Sequence, residues 1–133
     1  MKDIETREDV EFLIKEFYLN ILQNEELGKF FSEAVKNWDH HMIGFVNYWE
    51  SVIFFTDTYQ ESPLRGHIEI DQRFNNGFRP DHFELWYSIF ESCVDKHYAG
   101  DKAQLAKDGA KRMAQNIYKK MFIGRKPKPL NFQ

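Results

Sequence analysis

Four long stretches constrain this chain most: in each, apolar residues return every three or four positions, and no alternating pattern competes with them. In "TREDVEFLIKEFYLNIL" the apolar positions are Val10, Leu13, Ile14, Phe17, Ile21 and Leu22. A second stretch runs from Asn37 to about Phe55, with Trp38, His41, Met42, Phe45, Tyr48, Trp49 and Val52 on one face. Phe83, Trp86, Phe90, Cys93, Val94 and His97 mark the third, which Gly100 stops. Leu105, Ala106, Gly109, Ala110, Met113, Ile117 and Met121 mark the fourth, opened by Asp101 and ended by Gly124. Each predicts a helix with one buried stripe, so the fold class is all-α. Thr6 and Asp9 have the spacing of an N-terminal cap for the first helix. "QNEELGKFF" reads as a turn with a short helical piece that stops near Gly28.

At 133 residues the chain suits one domain, expected over 1–124 with a flexible, basic C-terminal tail over 125–133. A formal net charge of -3 and scattered basic residues argue against nucleic acid or an acidic membrane as partner. The longest uncharged apolar run, "SVIFF", is far short of the roughly 20 residues of a membrane span. "MKDIETRED" lacks the apolar core of a secretory signal. Cys93 is the single cysteine, so no disulfide framework exists. These features predict a cytoplasmic protein, and a monomer is expected. Aromatic residues are 17% of the chain, with 13 Phe, 6 Tyr and 3 Trp, a load of rings suited to covering a wide, flat surface.

The stretch "TYQESPLRGHIEI" is of another kind: Ser62 and Pro63 can start a helix of about two turns, yet little in it packs. It carries His67. His41 shares its stripe with Trp38, Phe45 and Trp49, and taken singly each histidine is an ordinary structural residue. Together, one on a long helix and one on a short helix beyond a turn, they allow two imidazoles to face each other across a slot. A metal carried in a large apolar ring needs only one protein ligand, because burial of the ring supplies the affinity. The pattern is thus that of a haem pocket. Zinc is disfavoured for want of a Cys/His cluster. A haem-free helical interaction module is the remaining alternative.

Four ordered motifs resemble the truncated haemoglobins, specifically the third group found in bacteria. "EFYLNILQNEELGKFF" is similar to the family's opening helix, with Tyr18 at the distal tyrosine position and Phe31 at the phenylalanine that stacks on haem. "WDHHMIGFVNYWE" resembles the group's W-x-x-H…F/Y-W helix and puts His41 at the distal histidine. "YQESPLRGH" resembles Y-x-G-x-P-x-x-x-H, placing His67 at the proximal iron ligand, although Glu61 stands where the group usually has glycine. "HFELWYSIFESCVD" resembles the h-F-x-x-W helix, with Trp86 reaching into the distal pocket. The loop from Asp71 to Pro80 is long for the group.

The resemblance implies a globin-like two-over-two helical sandwich and haem b. It implies dioxygen or another diatomic gas as ligand, with Tyr18, His41 and Trp86 around it and Phe31, Phe45 and Trp49 lining or supporting the cavity. Three polar groups around the ligand favour retention over release. The expected role is therefore oxygen, nitric oxide or peroxide chemistry, as a nitric oxide dioxygenase or peroxidase-like activity served by a reductase, rather than bulk oxygen transport. Arg65, Arg73 and Arg79 are the candidates for the haem propionates, and His41 has a further option as a second axial ligand when no gas is bound.

Overall fold

The computed structural model describes residues 1–34, 38–56, 79–121, 130 and 132. Within them the chain forms five helices and no strand: α1 (Arg7–Gln23), α2 (Gly28–Ala34), α3 (Trp38–Phe54), α4 (Pro80–His97) and α5 (Asp101–Met121). The short helix expected around Pro63 to His67, the loop from Asp71 up to Phe78, and Gly124 lie outside the described residues, as do Arg65 and Arg73.

Local chemistry sets the ends of these helices. Thr6 Oγ1 accepts from the Asp9 N–H at 3.2 Å while Asp9 Oδ2 accepts from the Thr6 N–H at 3.2 Å, the reciprocal box that the spacing predicts. The α1–α2 connection differs from the sequence expectation, for the short helix begins at Gly28 instead of stopping there. Asn24 decides this. Its Oδ1 accepts from the N–H groups of Glu26 and Leu27, at 2.9 and 3.0 Å, and its carbonyl accepts from the Gly28 N–H at 2.8 Å. An Asn side chain satisfies a turn locally, and the chain leaves it already pointed into α2.

Helix α1 packs on α3 and α4, and α5 packs on the same two. The pair α1/α3 thus lies over the pair α4/α5, a two-over-two sandwich, with α2 set against α1. The aromatic load fills the middle. Trp49 of α3 stacks on Phe90 of α4 with centroids 4.5 Å apart, and Phe90 stacks in turn on Trp86 at 5.9 Å. Phe17 of α1 meets Phe90 edge-on at 5.1 Å. Each such pair adds about 0.5–1.5 kcal/mol beyond the area it buries. Gly109 makes the α3–α5 contact close: a Cβ there would lie 2.6 Å from Val52 Cγ1.

Most of the expected stripes are buried as predicted, but α3 is an exception. Its buried residues are Val46, Trp49 and Ile53, while Met42, Phe45, Tyr48 and Val52 are half-buried. His41, expected on the apolar face, is exposed: Tyr18 of α1 covers Phe45, and the imidazole lies one turn beyond that cover, in the first turn of α3. Most of the tail expected over 125–133 lies outside the described residues. Leu130 and Phe132 pack on the core, with Phe132 edge-on to Tyr87 at 5.0 Å and Lys111 Nζ over its ring.

Candidate functional site

The end of the sandwich bounded by α2, the start of α4 and the second half of α5 holds a small apolar cavity of about 20 Å³. Leu27 and Phe31 line it from one side, Phe83 and Trp86 from α4, Met113 and Ile117 from α5, and the ring of His82 forms part of its wall. Amphipathic periodicity alone brings these residues together, since each belongs to the inward stripe of its helix or turn.

Trp86 is the chemically telling member. It is 6% exposed, wedged edge-on against Phe17 at 5.2 Å and flat against Phe90. Its Nε1–H is buried and has no hydrogen-bond partner among the described residues. Leaving such a donor unsatisfied costs about 1–3 kcal/mol, so its presence at a cavity wall asks for an acceptor.

The structure brings several of the sequence-predicted residues into one group. Tyr18 is buried, stacked on Phe45 at 4.6 Å with an 18° tilt and edge-on to Phe31 at 6.3 Å. Phe17 touches both Tyr18 and Trp86, at 4.9 and 5.2 Å, and so joins this group to the cavity wall. His41 stacks on the outer side of the group, 6.1 Å from Phe45. Trp49 stands apart from the cavity and backs Trp86 through Phe90. His67, the expected proximal ligand, lies outside the described residues. Arg79 is engaged at the surface, with Nε 3.0 Å from Asp81 and Nη2 3.3 Å from Glu26.

Sequence reading passed over His82 as a first-turn histidine of no special interest, yet it is 1% exposed. Its Nδ1 accepts from the Arg79 backbone N–H at 2.9 Å, and its Nε2 is 3.3 Å from Glu26 Oε2. A bare Nδ1 requires the proton on Nε2, so the ring is neutral and donates to the carboxylate. Burial pushes the His82 pKa below its ordinary value, with the Glu26 bond opposing. That same bond, helped by Arg79, holds Glu26 below the usual carboxylate range. The sequence signal was a polar residue at the third position of a proline-started helix, a place where a side chain can reach back to the cap. Cys93 is buried as expected, 3.4 Å from Asn20 Nδ2, and burial raises its thiol pKa, which leaves it unreactive. Among the described residues no three potential ligands cluster to hold a metal ion, and no helix is long and apolar enough to cross a membrane.

Comparison with known proteins supports the architecture. A group 3 truncated haemoglobin of Campylobacter jejuni is 21% identical over 120 residues, spanning 87% of this chain and 91% of that protein. The crystal structure of group III truncated haemoglobin from Campylobacter jejuni superposes with a TM-score of 0.75 at 22% identity, covering 88% of this chain and 92% of that one. The chain resembles group III truncated haemoglobins and has their fold. No family model matches it. In the truncated-globin fold so assigned, Tyr18, Phe31, Phe45 and Trp86 converge around one end of the sandwich.

Proposed function

We propose that the chain is a haem protein that binds a diatomic gas. The observation that carries this reading is the unpartnered Trp86 N–H at the wall of an apolar cavity, beside Phe31 and one ring removed from Tyr18. These residues fit a large, flat, apolar group. Phe31, Phe83, Met113 and Ile117 offer it carbon and sulfur contacts, and the lining leaves no buried charge for it to desolvate. His67 would hold its iron, on the strength of the sequence motif around it.

When bound, haem b would supply the chemistry of an iron that takes dioxygen, nitric oxide or a related small ligand. Trp86 Nε1–H and Tyr18 O–H are donors fixed in place by packing before any ligand arrives, and such preplaced donors stabilise charge that develops nearby. Phe17 and Phe90 hold the Trp86 indole on two sides, so its N–H cannot turn away to find water. His41, exposed and stacked 6.1 Å from Phe45, would donate to the ligand or gate its entry. A hydrogen bond from Trp86 would oppose ligand release by about 1–3 kcal/mol. The reading is therefore chemistry on oxygen, nitric oxide or peroxide, with electrons from a reductase, rather than oxygen carriage.

The test is an absorption spectrum of the chain supplied with hemin, reduced and then exposed to oxygen, beside His67→Ala and Trp86→Phe. A Soret band that shifts with oxygen and is lost or grossly altered in His67→Ala is expected, with ligand release some five- to a hundredfold faster in Trp86→Phe. A protein that stays colourless with hemin supplied ends the haem reading and leaves a helical interaction module.

A further inference from the structure

A buried neutral histidine that no proposed chemistry uses forms part of the wall of the proposed haem cavity. His82 joins two pieces of chain that the backbone does not connect. Through Nε2 it meets Glu26 in the turn that carries Leu27 and leads to Phe31; through Nδ1 it receives the Arg79 N–H at the head of the helix that carries Phe83 and Trp86. Leu27, Phe31, Phe83 and Trp86 all line the cavity. We propose that His82 is a positioning residue. Its bridge from Glu26 to the Arg79 backbone sets the distance between the Phe31 and Trp86 walls, and protonation of the imidazole releases it. The proposal rests on the haem reading for its consequence, though not for the bridge.

The chemistry follows from atom types. Nδ1 can accept from the Arg79 N–H only while it is bare, and a proton there would set two N–H groups against each other at 2.9 Å. Among the described residues, the groups facing the ring differ in sign. Glu26 from the turn and Asp81 from α4 favour the cation, while Arg79 opposes it, as does burial, the largest influence. From α2 the ring meets the edge of Phe30 at 5.1 Å, and α5 presents only Met113, Ala114 and Ile117 to the same cavity. Lys29, also on α2, acts on Glu26 and favours its carboxylate. Acidification therefore breaks the Nδ1 end first and frees the head of α4 from its cap. The pocket should then hold its occupant less firmly at low pH.

The test uses the full chain, with and without hemin. Long-range proton–nitrogen NMR of the hemin-free protein should show His82 with Nδ1 bare and Nε2 protonated at pH 7.5, and an Arg79 amide protected from exchange. That protection should fall away as pH drops below 6.5 through the lowered folded value of His82. Hemin loss should be roughly three- to tenfold faster in Glu26→Ala than in wild type at pH 7.5. Glu26→Gln, which keeps an acceptor, should stay close to wild type. His82→Asn, which can still cap Arg79 but cannot reach Glu26, should lose hemin faster and lose the acid dependence. Equal hemin loss from Glu26→Ala, Glu26→Gln and wild type at every pH from 5.5 to 8 would overturn the positioning role. If the chain takes up no hemin, the haem reading fails, and the NMR arm still judges the bridge. A bare Nδ1 with an acid-labile Arg79 amide upholds it, whereas an Nδ1-protonated ring ends it.

Discussion

The two ends of this sandwich are built on opposite terms. At the end where the N-terminus meets the start of α5, donors and acceptors pair closely. Asp3 Oδ2 accepts from the Lys102 N–H and Oδ1 from the N–H groups of Ala103 and Ile4, each at 2.8 Å, so one carboxylate caps a helix that begins about a hundred residues later. Asp9 takes the Lys2 ammonium on both oxygens, at 2.9 and 3.0 Å, and the Glu5 and Thr6 N–H groups as well. Gly100 makes the close approach feasible, since its φ of 137° is open to glycine and a Cβ there would meet Asp3. At the other end stand an indole N–H with no partner among the described residues, a small cavity, and a buried imidazole whose Nδ1 accepts a backbone N–H. The comparison sets closely paired polar groups at one end against a cavity at the other whose indole donor has no partner among the described residues.

The largest test of that contrast is Asp3→Ala. It leaves two first-turn N–H groups of α5 and the Ile4 N–H without their carboxylate, so unfolding free energy should fall by about 2–3 kcal/mol in urea titration. A loss below about 0.5 kcal/mol would mean that the N-terminal end is not where stability lies.

Acid sharpens the comparison, because the two ends should loosen in different pH ranges. The folded pKa of His82 lies below its free value of 6.5, so the unfolded chain takes up that proton first. Its contribution to stability is full above about 6.5 and drains away as pH falls towards the folded value. For Asp3 and Asp9 burial raises the pKa, but it is outweighed. Backbone N–H groups act on both, and Lys2 acts on Asp9 besides, leaving both below the usual 3.8. Their contribution is present above about 4 and is lost only as pH falls further. Amide exchange should therefore report loss of protection at Arg79 as pH falls below 6.5 through the lowered folded value of His82, with Ala103 still protected. Simultaneous loss at both ends would break the distinction.

The smallest expected effect is the most pointed. Trp86→Phe removes the orphaned N–H along with part of a ring. Unfolding free energy of the hemin-free protein should stay within about 1 kcal/mol of wild type, because relief of the buried donor offsets the lost contacts. Truncating a large buried aromatic to alanine ordinarily costs about 3–5 kcal/mol. A loss of that larger size in Trp86→Phe would show that the N–H is satisfied and would weaken the case for a ligand there.

What the amino-acid sequence determined by itself is whatever short-range physics governs. Periods of three and four residues specified α1, α3, α4 and α5 to within a residue or two at their described ends, and Thr6 with Asp9 specified the first cap, since both partners lie within one helical turn. The ordered motifs picked out Tyr18, His41, Trp86, His67, Phe31, Phe45 and Trp49; of these, Tyr18 touches Phe31 and Phe45 and is joined to Trp86 through Phe17. Only the tertiary structure decided the rest. His41 and Phe45 fall on the same stripe of α3, yet Tyr18 covers one and leaves the other at the surface. His82 looked like any first-turn histidine until α2 and α5 closed over it, and Asp3 became the cap of α5 only once the first and fourth long helices were packed into place. Burial and long-range hydrogen bonding depend on which surfaces meet, and no local pattern carries that information.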